Sequence, residues 1–102
     1  MTTHTYGHYE KLTAMPYAQA KVAIVYNGSY LVSYSTLAAL VKDGWLIVNG
    51  LYSATTRRRI GAYVKEYANA DFAIAKRCFK ENLNYNIHTG EFMSRATGEI
   101  IH

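Results

Sequence analysis

Two hairpin signals constrain the fold of this chain more than any other feature of its sequence. Asn27-Gly28 and Asp43-Gly44 border short apolar runs, and both positions of such pairs accept positive φ, as tight hairpin turns require. AKVAIVY leads into the first pair, and WLIV follows the second. We predict a hairpin of residues 20–26 with residues 30–35, within a β-meander that closes at Asn49-Gly50.

The segment STLAALVK between these signals allows two interpretations. Its leucines and alanines are good helix formers, which favours a short helix. The Asp43-Gly44 pair and the β-rich WLIV after it favour a strand that turns back into the next one. We expect the strand.

Two helices are predicted after the meander. Ser53 is the expected N-cap of the first, with Thr55 and Thr56 as alternatives, because a hydroxyl oxygen can accept from a free backbone N–H. Asn69 is expected to break this helix, and Asp71 to cap the second one. Helical spacing gives two apolar faces, one of Ile60, Tyr63, Val64 and Tyr67, the other of Phe72, Ala75, Phe79 and Leu83.

A short motif occurs twice near the end of the sequence. His88-Thr89-Gly90-Glu91-Phe92 and Ala96-Thr97-Gly98-Glu99-Ile100 each place Thr-Gly-Glu before an apolar residue. Such groups are typical of tight turns that lead into short strands. We interpret them as turns of a terminal β-meander, and an interaction loop is the alternative.

These elements together predict an α+β fold in a single domain, residues 1–102. A small antiparallel sheet of three to four strands packs with two α-helices and a short C-terminal β tail. The expected segments are an N-terminal arm at 1–19 with a short strand near residues 6–12, the meander at 20–49, the helices at 53–83 and the β turns at 84–102.

Three consecutive arginines, Arg57 to Arg59, stand where the first helix begins. At about 100° per residue, Arg57 and Arg58 share a side with Lys65, whereas Arg59 lies away from them and nearer Glu66. Cations there oppose the helix dipole by roughly 0.3–1 kcal/mol each. A carboxylate of the same chain, an acidic protein surface and nucleic-acid phosphate are the three candidates for neutralising them.

The candidate partner- or phosphate-binding residues combine this charge with the cations of the second helix and two tyrosines of the hairpin. Tyrosine rings stack on bases or fill protein interfaces, although packing within the sheet is the simpler interpretation of these two. The set is Arg57, Arg58, Arg59, Lys65, Lys76, Arg77, Lys80, Tyr30 and Tyr34.

The sequence favours no enzymatic chemistry. Its glycines form no phosphate-binding loop, and its acidic residues show no paired arrangement. The single cysteine, Cys78, borders the apolar face of the second helix and is interpreted as a small packing residue. His4 and His8 have i, i+4 spacing in a segment without helical character. We expect no enzyme, no cofactor and no metal site.

The run SYSTLAALVKDGWLIVNGLYSATTRRRI resembles a pattern in small uncharacterised proteins of bacteriophages and mobile elements. In that pattern a strand reading S-Y-x-T precedes a D-G turn, and S-x-T-T-x-R-H opens a helix. The matching residues are Ser33-Tyr34-Ser35-Thr36, Asp43-Gly44, Ser53, Thr55, Thr56 and Arg58, and Arg59 takes the histidine position. The resemblance covers about a third of the chain and implies a phage or mobile-element origin.

The resemblance also implies a function. Small phage proteins without catalytic residues often bind host factors, and anti-CRISPR inhibitors are similar in being short and single-domain. We expect a protein that binds and inhibits a host defence complex, with a small nucleic-acid-binding accessory protein as the alternative. The net charge of +4 argues against mimicry of DNA, which needs strong negative charge.

Three expectations about partners and location complete the interpretation. The partner is a host protein or ribonucleoprotein complex, such as a CRISPR effector, with direct nucleic-acid contact as an option. A second copy of the chain would cover apolar surface that one small layer leaves exposed, which gives a homodimer. The N-terminus lacks a signal-peptide pattern, and no membrane span is visible, so we expect the cytoplasm of the host cell and no membrane partner.

Overall fold

The computed structural model describes residues 7–101, which form one eight-stranded antiparallel sheet and two helices. Tyr6, the first residue of the predicted N-terminal strand, and His4 lie outside the described residues. The strands are β1 His8–Glu10, β2 Ala20–Val25, β3 Gly28–Ser33, β4 Thr36–Lys42, β5 Trp45–Val48, β6 Leu83–Asn86, β7 Phe92–Ser94 and β8 Ile100–Ile101, and the helices are α1 Ala54–Tyr67 and α2 Phe72–Lys80.

The strands follow one another across the sheet in the order of the chain. The predicted sheet of three to four strands is therefore wrong, although the α+β class stands. The arm adds β1 and the C-terminal segment adds β6 to β8, and β6 pairs with β5 after the helices return the chain to the sheet. Strand β1 lies within the short strand predicted near residues 6–12, and β7 and β8 lie within the predicted β tail. With only two or three residues each, these strands show no period of two that would reveal their pairing in the same sheet.

The first hairpin is confirmed, but its turn lies one residue earlier than predicted. Val25 pairs with Gly28, so Tyr26 and Asn27 form the turn and Gly28 already belongs to β3. The reason for glycine here is contact rather than turn geometry. A Cβ on Gly28 would lie 1.7 Å from the carbonyl oxygen of Val41 in β4.

All of STLAALVK except its first residue forms a strand, β4, as expected. Asp43 and Gly44 have φ of 53° and 85° and make the predicted tight turn into β5. A second two-residue turn was not predicted: Ser33 pairs with Thr36, and the chain reverses at Tyr34 and Ser35.

Both predicted helix caps are confirmed. The Ser53 side chain accepts from the backbone N–H of Thr56 at 3.2 Å, and the Asp71 side chain accepts from that of Ile74 at 3.0 Å. Asn69 has φ of 49° and interrupts the helical conformation between α1 and α2. Helix α2 ends at Lys80 rather than continuing toward residue 83.

The predicted apolar face of α2 is partly wrong. Ala75 and Cys78 are fully buried, whereas Phe79 is 42% exposed. Leu83 is buried, but it belongs to β6. Asn82 has φ of 55°, so the chain leaves the helix before Leu83 could continue the stripe.

The two Thr-Gly-Glu motifs of the tail form the same turn twice, as predicted. Asn86 and Ser94 occupy equivalent positions, and the side-chain oxygen of each accepts from the backbone N–H groups two and three residues later. Gly90 and Gly98 follow with φ of 79° and 76°. The two copies therefore position β7 and β8 by the same local hydrogen bonds.

Two layers make up the structure. The principal-axis extents are 40 × 39 × 19 Å, because the helices lie together on one face of the wide sheet. The core fills the space between them, with Leu31, Leu46 and Val48 from the sheet against Ile60 and Val64 from α1, all of them buried.

Candidate functional site

Arg59 is the one buried cation among the predicted site residues. It belongs to the buried stripe of α1 and is only 5% exposed, packed at the end of the sheet where β3 turns into β4. Its Nη1 donates to the carbonyl oxygen of Gln19 at 3.1 Å and to Oγ of Ser33 at 3.0 Å. The guanidinium carbon lies 4.5 Å from the ring centroid of Tyr34. Two of the predicted site residues, Arg59 and Tyr34, are thus in contact.

The charge of Arg59 has no carboxylate partner among residues 7–101. No ion pair within 4.0 Å involves it there, and its Nε is buried without a hydrogen-bond acceptor. Glu66, which the helical wheel placed nearer to Arg59, instead accepts from both the backbone N–H and the hydroxyl of Thr13. Burying a charge without a counter-charge is costly, so local stability does not explain why this side chain is charged.

Tyr34 holds an unfavourable backbone conformation above Arg59. Its φ of 57° is in the left-handed region, which costs a bulky residue of order 1–3 kcal/mol. The backbone N–H of Tyr34 donates to the carbonyl oxygen of Gln19 at 2.8 Å, and this bond fixes the turn. Tyr34 is 58% exposed and its ring lies against the buried guanidinium of Arg59, so the ring stands between that group and solvent.

A cleft of about 550 Å³ lies beside this turn. Tyr34 and Gln19 form one part of its wall and Tyr9 another, and Lys11 and Lys21 add two cations. The ammonium of Lys21 lies 4.3 Å from the ring centroid of Tyr9. These residues of the arm were not among the predicted site residues, because the strand expected near residues 6–12 carried no signal for its pairing with β2.

The exposed cations of α1 form a second candidate region. Arg57, Arg58 and Lys65 are exposed, and within residues 7–101 none of them has a carboxylate oxygen within 4.0 Å. Arg58 and Lys65 line the same shallow cleft of about 560 Å³, as their helical spacing predicted. Neutralisation by a carboxylate of the same chain, one of the three candidates, is thus absent from the part of the chain that the structure describes.

This cleft between the helices has an apolar lining with a charged rim. Met15 of the arm, Ala62 of α1 and Phe72 of α2 contribute apolar side chains, and Asp71 is the acidic residue beside them. We call the cleft and the exposed cations of α1 the helical surface. Such an arrangement can accept an apolar side chain surrounded by negative charge.

The three predicted cations of α2 separate into two groups. Lys76 and Lys80 are exposed and follow Phe72 at intervals of four residues, which extends the helical surface along α2. Arg77 pairs with Glu81 at 3.2 Å, and its guanidinium carbon lies 4.2 Å from the ring centroid of Phe92. Arg77 is therefore occupied by structural contacts.

Tyr30 lies on the sheet face opposite the helices. The burial of β3 alternates, with Ser29, Leu31 and Ser33 toward the helices, so Tyr30 and Val32 point the other way. Strand register extends this face across the sheet. We call it the open face, and its members are Tyr9, Lys21, Ala23, Val25, Tyr30, Val32, Leu37, Leu40, Lys42, Trp45, Ile47, Asn84, Asn86, Met93 and Ile100.

The titratable groups fit structural roles. Burial raises the pKa of the Cys78 thiol to about 11, which makes it a poor nucleophile at neutral pH. Hydrogen bonds from Tyr67 and His8 lower the pKa of the Glu10 carboxyl. Within residues 7–101, no group of three His, Cys, Asp or Glu side chains could hold a metal ion.

The protein belongs to the class of small, two-layered α+β proteins. Its two helices lie between two halves of one antiparallel meander. The sequence profile of DUF8033, a family of unknown function, matches residues 4–81, and the chain belongs to this family. The match extends through α2 and stops before β6. No curated protein and no solved structure matches the chain. Neither described helix is long and apolar enough to cross a membrane.

Proposed function

We propose that this protein is a non-enzymatic binding protein of phage or mobile-element type, which inhibits a host defence complex by occupying part of its surface. The unneutralised charge of the helical surface is the observation that carries the proposal. Arg57, Arg58 and Lys65 are exposed and have no carboxylate within 4.0 Å in the described chain. An external acidic group would satisfy them. The resemblance described above supports the narrower assignment to anti-CRISPR inhibitors by class alone.

The lining of the cleft favours a protein partner over bare nucleic acid. Phosphate contacts need cations and backbone N–H groups, whereas Met15, Ala62 and Phe72 offer apolar contact between Arg58 and Lys65. A protein that presents an apolar side chain with flanking Asp or Glu would use both features. The partner in this proposal is therefore an acidic surface of a protein or ribonucleoprotein complex.

A tagged pull-down from a candidate bacterial host tests the proposal, with and without nuclease. We expect a host defence protein to be recovered in both arms. The variant Arg57→Ala/Arg58→Ala/Lys65→Ala should lose this protein, while circular dichroism stays that of the parent. Recovery of no defence component, or equal recovery by the triple variant, would contradict the proposal.

A charge control distinguishes the helical surface from net charge. Lys21→Ala/Lys42→Ala removes two cations from the open face, on the other side of the sheet. We expect this variant to recover the partner as the parent does. Equal losses in the control and triple variants would mean that net charge, rather than the helical surface, drives binding.

Nucleic-acid binding remains the second candidate function, because the same three cations could contact phosphates. Such binding weakens steeply with salt as counterions are released. A parent protein that binds DNA or RNA directly, with an affinity that falls by orders of magnitude between 50 and 200 mM salt, would favour this function. Recovery that disappears after nuclease treatment would point the same way.

A further inference from the structure

The open face is apolar well beyond what a solvated sheet face needs. Its central rows contain Tyr30, Val32, Leu40, Trp45 and Ile47, on three neighbouring strands. An antiparallel sheet that faces water normally carries polar residues on that side. Apart from Lys21, Lys42, Asn84 and Asn86, the open face consists of apolar and aromatic residues and alanine.

No element of residues 7–101 covers this face. Helices α1 and α2 contact the sheet on the other side, where the core is. None of the five central residues belongs to the buried core or packs against it. All five are half-buried. Contiguous apolar patches on monomers rarely exceed about 300–600 Å².

The outline of the molecule is large enough for a stable dimer. A face-to-face contact over half of the 40 × 39 Å outline would give the about 800 Å² that each partner buries in a standard interface. Twice the 19 Å thickness is about 38 Å, so two stacked molecules would have nearly equal dimensions in all directions. Such a shape exposes less surface for its volume than one flat copy does.

The sheet edges do not offer an equal route to association. The edge strands β1 and β8 have three and two residues, so each presents few unpaired backbone groups. Short edge strands discourage pairing between sheets. The two lysines of the open face lie at opposite ends of the strands, since Lys21 pairs with Val32 and Lys42 with Gly28. Both ammonium groups can stay at the rim of an interface centred on Leu40.

From these observations we infer that a second copy of this chain covers the open face, giving a two-fold dimer in which the two sheets pack face to face. Such an interface is isologous, with each residue of the central rows meeting the same surface on the partner. The helices lie on the outside of this dimer. The inference does not depend on the proposed function, because it concerns the opposite side of the sheet.

Sedimentation equilibrium between 1 and 100 µM measures the association directly. We expect the parent to reach about 23 kDa, twice the chain mass of 11.5 kDa. Salt should leave the dimer intact, since its contacts are apolar. A parent that stays at the monomer mass at 100 µM would overturn the inference and leave the face to a different occupant. A mass that keeps growing past two copies would overturn it as well.

A pair of variants locates the interface. Leu40→Glu/Ile47→Glu introduces charge at the centre of the open face and should give monomers throughout this range. Phe79→Glu is the matched control, because Phe79 is an exposed apolar residue of α2 on the other side of the molecule. We expect it to remain dimeric. Circular dichroism verifies that both variants are folded, and a folded double variant that still dimerises would rule out this face.

Discussion

Replacing Arg59 with methionine tests whether its buried charge supports the fold. The variant loses two Nη1 hydrogen bonds of about 1.5–3 kcal/mol each. It also loses the contact with Tyr34, about 0.5–1 kcal/mol at an exposed ring. The acceptors keep other partners, because Gln19 O still accepts from the Tyr34 N–H and Ser33 Oγ still bonds Thr56 Oγ1.

Two costs disappear in the same variant. Burial of a charge without a carboxylate within 4.0 Å in the described chain costs several kcal/mol, and the unpartnered Nε costs about 1–3 kcal/mol. The gains and losses are of similar size. We therefore expect the free energy of unfolding of Arg59→Met to lie within about 1 kcal/mol of that of the parent.

Arg59→Ala provides the comparison, because it also removes the aliphatic stem. The void left between α1 and β3 should lower the free energy of unfolding by about 2–4 kcal/mol. Urea denaturation of the three proteins, with a common m-value, measures both differences. If methionine were as destabilising as alanine, the charge itself would be holding this end of the sheet together, and the reasoning above would be wrong.

The remaining predictions concern backbone contact and burial. Gly28→Ala should lower the free energy of unfolding by at least about 3 kcal/mol, because its Cβ would meet the Val41 carbonyl at 1.7 Å. Gly61→Ala in α1 should raise it by up to about 1 kcal/mol, since the nearest atom is 3.5 Å away; urea denaturation decides both, and equal effects would contradict the contact argument. Burial raises the pKa of Cys78 from 9.0 to about 11, so the unfolded chain loses the thiol proton at lower pH than the native protein does. The contribution of the buried neutral thiol to stability is therefore complete below pH 9 and is lost between pH 9 and 11. At pH 8 the native thiol should react with Ellman's reagent at least tenfold more slowly than the urea-unfolded one, and equal rates would disprove burial.

Local signals in the sequence located most of the central elements. Ser53 and Asp71 cap helices because their side-chain oxygens reach the backbone two or three residues on, and this depends on nearby residues alone. The same holds for the turn at Asp43-Gly44 and for the two Thr-Gly-Glu turns of the tail. Where three or four consecutive residues decide the geometry, the sequence was sufficient.

Tertiary contact decided the features that the sequence did not predict. The short strand predicted near residues 6–12 is present as β1, but its three residues carry no signal for the pairing with β2. Arg59 follows the buried stripe of α1, since it lies four residues before Tyr63 and three after Thr56, but its charge argued for an exposed position. The position of Arg59 in the stripe was therefore the available signal, and residue type was the misleading one.

The composition of the strands also supports the inferred dimer. AKVAIV of β2, TLAALVK of β4 and WLIV of β5 are nearly continuous apolar runs rather than alternating ones. Such runs are typical of strands covered on both faces. The two helices of this chain cover only one. Strands that are apolar on both sides, in a protein whose helices cover one, require a second cover that the described residues do not provide. A second copy of the chain is present wherever the protein is made, and its own open face needs the same cover.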